Sequence, residues 1–183
     1  LLVENGSLLA EGNSSEVILK YYKSISNEKF DATKGILDRK SRRGDGKVRF
    51  TEIKLIDEKG NERSHFEIGQ RIQFSLKYKV YEKVKNLSIL IGFLTEKSRE
   101  TIVNFRHNLS NVPLQPGYKR KAVIEVSTKN LEPQTIVLYF WLGQDGVKGQ
   151  CDVVDGLTTP LLLTSSSLER AGGFIKLKSR LIS

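Results

Sequence analysis

The sequence predicts an all-β protein, an antiparallel β-sandwich carrying a short N-terminal hairpin-helix appendage. Three observations predict it. From Lys47 onward, apolar residues recur with a period of two. Turn signals cut this stretch into several short runs. No long helical pattern separates those runs, which is the arrangement of a sandwich rather than of βαβ units.

The appendage comes first. Leu1-Leu2-Val3 and Leu8-Leu9-Ala10 flank Glu4-Asn5-Gly6-Ser7. Asn-Gly between apolar pairs marks a hairpin, because both residues tolerate positive φ. Asn13 and Glu16 then have capping-box spacing, and Val17, Ile18, Tyr21, Tyr22 and Ile25 share one face of a helix over about residues 14–26. Residues 27–46 lose all periodicity, and Asp38-Arg39-Lys40-Ser41-Arg42-Arg43-Gly44-Asp45-Gly46 reads as a linker or, alternatively, as a basic arm. The expected organisation is therefore 1–26 as a separate piece, 27–46 as linker and 47–183 as sandwich.

Within the sandwich, Val48 and Phe50 alternate on one parity and Ile53 and Leu55 on the other, so a bulge is expected near Thr51–Glu52. Glu58-Lys59-Gly60-Asn61 is a turn. Phe66, Ile68, Ile72, Phe74, Leu76, Tyr78 and Val80 share a parity, and polar residues fill the gaps from Arg71. Leu87, Ile89, Ile91 and Phe93 mark the next strand, and Thr101–His107 another. Asn108–Tyr118, with Pro113, Pro116 and Gly117, reads as a loop. Ala122, Ile124 and Val126 follow, then Ile136, Leu138, Phe140 and Leu142, then a turn at Gln144-Asp145-Gly146. Leu161–Thr164 and Phe174–Leu181 are expected to close the fold around Gly172-Gly173, a glycine pair suited to act as a hinge.

Composition narrows the function. Thirty Lys and Arg against 21 Asp and Glu give a net charge of +9, which favours anionic contacts: nucleic acid, lipid headgroups or an acidic ligand. No apolar run approaches the ~18 residues of a transmembrane helix, and no signal-peptide pattern is visible. One cysteine and two histidines leave little room for a disulfide framework or a metal centre, and no cofactor is expected. There is no GxxxxGK[ST], GxSxG or HExxH, so no catalytic motif is present. Cys151 with His107, and the acids Asp145, Asp152 and Asp155, read as structural and loop residues, not as catalysts. With no methionine, even at position 1, the chain is expected to be a piece of a longer protein.

Val3-Glu4-Asn5-Gly6-Ser7-Leu8-Leu9-Ala10-Glu11-Gly12, followed by Glu16-Val17-Ile18 and Tyr21, resembles the end of an ABC-transporter nucleotide-binding domain. Gly44-Asp45-Gly46-Lys47-Val48-Arg49-Phe50, Ile53-Lys54-Leu55-Ile56-Asp57 with Gly60, and Phe66-Glu67-Ile68-Gly69-Gln70-Arg71-Ile72 resemble the opening of the C-terminal domain of Wzt-type ATPase subunits. Asn130-Leu131-Glu132-Pro133 before Ile136–Phe140 resembles a further element of that domain, with Gln134 where the family usually has glycine. The resemblance implies a non-catalytic, immunoglobulin-like module that binds the finished, often capped, non-reducing end of lipid-linked O-antigen polysaccharide and couples chain completion to export. It implies a cytoplasmic location peripheral to the bacterial inner membrane, a homodimer formed by exchange of the last strand, and an ABC permease reached through an ATPase domain outside this chain.

The residues offer a site for such a ligand. Opposite Ile136, Leu138, Phe140 and Leu142 lie Val137, Tyr139 and Trp141, where a solvated face should be polar. Outward aromatics suit the CH faces of pyranose rings. Ser88 and Gly92 leave room for a groove beside Trp141, although a loop or a partner could equally cover the aromatics. Asn104, Arg106 and His107 could read hydroxyls or an acidic group, and Gln144 could add a polar contact. The competing readings are a purely structural dimerisation module and a nucleic-acid-binding sandwich. The second is disfavoured because no Lys or Arg is interleaved with the aromatics of that strand.

Overall fold

The computed structural model describes residues 1–4, 6–12, 17, 21, 42–96, 98–144, 149–155, 161–164 and 179–182. Two strands form the N-terminal hairpin, β1 (Leu2–Glu4) and β2 (Ser7–Ala10), turning at Gly6 with φ of 79°. The helix expected over residues 14–26 lies outside the described residues except for Val17 and Tyr21, as do the Gly172-Gly173 pair and most of the last predicted strand.

The remaining described strands form two sheets. One holds β3 (Val48–Ile56), β5 (Arg71–Val80), β8 (Lys119–Ser127) and β12 (Ser179–Ile182), in the order β12-β8-β5-β3. The other holds β4 (His65–Glu67), β6 (Leu87–Thr95), β7 (Thr101–Ser110), β9 (Gln134–Gln144), β10 (Gly149–Asp155) and β11 (Leu161–Thr164). Its order is β4-β11-β9-β6-β7, and β10 pairs with the C-terminal part of β9. Pairing is antiparallel except between β4 and β11, which run parallel.

The period-two pattern builds this sandwich because every second side chain of a strand meets the opposing sheet. Phe50 and Phe74 from the first sheet pack against Phe140 of the second, with ring centroids 6.2 and 5.9 Å apart. Phe74 also meets Phe93, which stacks edge-on against Phe105 at 5.2 Å. These rings, with Ile53, Leu55, Ile72, Leu76, Ile91 and Leu138, form one buried core. The phase slip in β3 is a register shift between Phe50 and Glu52, where the sequence places the bulge.

Two expectations are corrected here. Strand β7 does not stop at His107 but continues to Ser110, in register with Leu87. Asp152 is not a loop residue. It lies in β10, is fully buried, and joins the two sheets. Its Oδ1 accepts from Arg42 Nε at 3.0 Å and Arg49 Nη1 at 2.8 Å, and its Oδ2 accepts from the Phe50 backbone N–H at 2.8 Å and from Arg42 Nη2. Every buried charge needs such partners.

The same contact binds the stretch upstream of Val48. Val153 N–H donates to the Arg43 carbonyl, and the Asp45 and Gly46 N–H groups donate to the Gln150 and Cys151 carbonyls, each at 2.9 Å. At Gly44, φ is 108° and a Cβ would lie 2.6 Å from the Cys151 carbonyl oxygen, so only glycine lets the chain run this close to β10. Cys151 itself is buried, and burial foremost pushes its thiol up to about 11. It is a core side chain of β10.

Candidate functional site

The outer face of the second sheet is set by three adjacent strands, β7-β6-β9. Cross-strand register arranges it in rows. One row joins Asn104, Gly92 and Tyr139; the next joins Arg106, Leu90, Trp141 and Val153; a third joins Asn108, Ser88 and Gly143. Five of the seven predicted site residues, Gly92, Asn104, Arg106, Tyr139 and Trp141, therefore meet on one face although 49 positions of sequence separate the first from the last.

The other two do not join them. His107 pairs with Ile89 and shares the parity of Phe105, so it is turned toward the sandwich interior, and burial lowers its pKa. Adjacent residues of a strand point to opposite faces, so Arg106 and His107 cannot both read one ligand from this sheet. Gln144 likewise sits on the core parity of Leu142, at the end of β9, with its side chain against Gly149.

Trp141 also departs from expectation. It stands on the outward parity but is only 5% exposed, so it is not an open platform. Gly143 explains part of this. It lies two residues along on the same face, and a Cβ there would fall 2.0 Å from the Trp141 ring. The indole is laid along the strand over the bare glycine. The Arg106 guanidinium carbon lies 5.8 Å from its ring centroid, in cation–π range. Trp141 thus forms a floor on which Arg106 rests.

Above that floor the face is polar. Asn104, Arg106 and Asn108 are exposed and stand about 7 Å apart along β7. Arg106 has no carboxylate partner among the described residues, so all its guanidinium donors face solvent or the ring. Ser88 Oγ donates to Asn108 Oδ1 at 2.9 Å and thereby fixes that amide. Asn104 leans over Gly92, where a Cβ would come within 2.8 Å of its Oδ1 and 3.4 Å of Tyr139 Cβ. Gly92 is buried, and the space its missing side chain leaves is filled by this amide and the half-buried Tyr139. Asn108 is the residue that sequence reasoning missed. Extending the alternation Asn104, Arg106 by one more step would have included it.

The chemistry available is recognition. Amide donors and acceptors, a guanidinium fork and an apolar floor can hold a polyhydroxylated ligand and an acidic substituent on it. Among the described residues no group of three or more His, Cys, Asp or Glu could hold a metal ion.

The two packed sheets define the class of the protein as a β-sandwich domain. A family model for the Wzt C-terminal domain matches residues 39–171, and the chain belongs to that family. The chain is similar in fold to the crystal structure of the C-terminal domain of Wzt, with a TM-score of 0.60 at 14% identity, covering 74% of this chain and 89% of that one. The crystal structure of Spo0M, a sporulation control protein from Bacillus subtilis, aligns with a TM-score of only 0.37 at 11% identity, covering 64% of this chain and 49% of that one. No curated protein matches the chain.

Proposed function

We propose that this chain binds the non-reducing end of a lipid-linked O-antigen polysaccharide, capped or not, and couples completion of that glycan to its export by an ABC transporter. Membership of the Wzt C-terminal domain family supports the carbohydrate-binding reading. The observation that carries it is the exposed Asn104–Arg106–Asn108 line standing beside Trp141 and Tyr139 on the same face. Sugar hydroxyls would pair with the amides, a pyranose face would sit against the half-buried Tyr139 ring, and Arg106 would take an acidic substituent.

In this reading the module is non-catalytic and works in the cytoplasm at the inner membrane. It is joined to the permease through an ATPase domain. Strand β12 pairs with β8 at a sheet edge, which suits exchange of this strand between two copies of the chain, so we propose a homodimer as well.

Calorimetric titration with the polysaccharide of the source bacterium tests the site. Arg106→Ala removes charge-assisted hydrogen bonds worth about 1.5–3 kcal/mol, so affinity should fall roughly tenfold to a hundredfold with the melting temperature unchanged. Full affinity in that variant would remove Arg106 from the site.

A further inference from the structure

One end of the sandwich differs from the rest of its surface. Two turns meet there, residues 81–86 between β5 and β6 and residues 111–118 between β7 and β8. They are hydrogen-bonded to each other. Leu114 N–H donates to the Val84 carbonyl at 2.9 Å, Gly117 N–H to the Val80 carbonyl at 2.8 Å, and Val80 N–H to the Tyr118 carbonyl at 2.8 Å. The two turns therefore form one surface.

That surface is cationic. Residues 77–85 and 119–121 hold seven Lys and Arg and a single acid, Glu82. Cross-strand register sets Lys119 beside Lys79 and Arg49, and Lys121 beside Lys77. Lys77 is paired with Glu52 at 3.0 Å and Arg49 with Asp152, while Lys119 and Lys121 are exposed and have no acid partner among the described residues. Like charges side by side are unfavourable in isolation, and they are tolerated where a polyanion or water receives them.

The same end carries apolar tips. Among the described residues outside the N-terminal piece, the exposed large hydrophobic residues are Tyr81, 49% exposed, and Val112, 65% exposed, one on each turn. Lys79 Nζ lies 4.8 Å from the Tyr81 ring centroid. An aromatic and an aliphatic tip rimmed by lysines match a bilayer interface, where apolar groups enter the headgroup region and lysines meet anionic lipid. A nucleic acid would use the charge but has no place for Val112.

We infer that this end of the sandwich docks directly on an anionic lipid bilayer, with Tyr81 and Val112 entering the interface and Lys83, Lys85, Lys119 and Lys121 contacting headgroups. Strands β6 and β7 meet these turns at Leu87 and Ser110, so docking would hold the Ser88–Asn108 row close to the membrane. The inference does not depend on glycan binding.

Flotation of the 183-residue chain with vesicles of phosphatidylcholine plus phosphatidylglycerol, against phosphatidylcholine alone, tests it. Binding should require phosphatidylglycerol and weaken with salt. Each of Lys119→Ala and Lys121→Ala should weaken it by about fivefold. Val112→Ser should weaken it with all charges kept. These are exposed positions, and unchanged melting curves would show that the variants fold. Equal binding to both vesicle types, no binding, or no effect of the lysine changes would overturn the inference. Full binding by Val112→Ser, with random oligonucleotide displacing the vesicles, would identify a general polyanion surface and also overturn it.

Discussion

Gly92 sits between two side chains that the ligand reading needs. A methyl group there would approach Asn104 Oδ1 to 2.8 Å, so Gly92→Ala must push the amide aside, whereas the contacts to Tyr139 at 3.4 Å are ordinary. The expected outcome is weaker polysaccharide binding by calorimetry, with a small change in melting temperature. His107 supplies a second prediction. Burial lowers its pKa from 6.5, so the folded chain takes up the proton less readily than the unfolded one. Stability is therefore unaffected by this group above pH 6.5 and falls as the pH drops below that value toward the lowered one. His107→Gln should flatten that part of the decline in urea midpoint. Residue chemistry at this scale was legible in the sequence for Asn104 and Arg106, whose parity is set by the strand alone. It was not legible for Trp141, because the bare glycine that lets its ring lie down matters only once Gly143 is seen beneath it.

At the scale of elements, β10 ties the sandwich together. Asp152 on this strand is bonded by Arg42, Arg49 and the Phe50 N–H, so a strand of one sheet is bridged to the edge strand of the other. Asp152→Ala removes the carboxylate that receives Arg42, Arg49 and the buried Phe50 N–H, while Arg42 keeps its bond to the Phe50 carbonyl. Breaking such a buried ion pair should cost about 3 kcal/mol, the lower end of the range because Arg49 retains 27% exposure, and the urea midpoint should fall accordingly. Strand periodicity made β3, β5, β6, β8 and β9 readable, since each sets an apolar residue at every second position against one core. Gly149–Asp155 was hidden because Asp152 interrupts the apolar pattern at a core position, and its partners lie 103 and 110 residues away. The end of β7 was hidden by the adjoining Asn-Val-Pro turn, although Asn108 keeps the alternation.

The whole molecule places its two surfaces on different elements of one rigid core. The second sheet turns the Asn104–Arg106–Asn108 line outward, while one end of the sandwich carries a cluster of seven Lys and Arg on and beside its turns. The sandwich class followed from alternation and turn spacing, because these are local properties of strands. The parallel pairing of β4 with β11 did not follow, since the two strands lie about a hundred residues apart and nothing local fixes their relative direction. The central claim is that the outer face of β7-β6-β9 holds a glycan. Trp141 is the one tryptophan of the chain and lies under Arg106 at the centre of that face, so its emission reports on the site alone. Titrating the chain with purified O-antigen polysaccharide of its own bacterium should give a saturable change in Trp141 fluorescence that disappears in Arg106→Ala. Calorimetric binding of the same glycan with no change in that emission, and with undiminished affinity in Arg106→Ala, would contradict it.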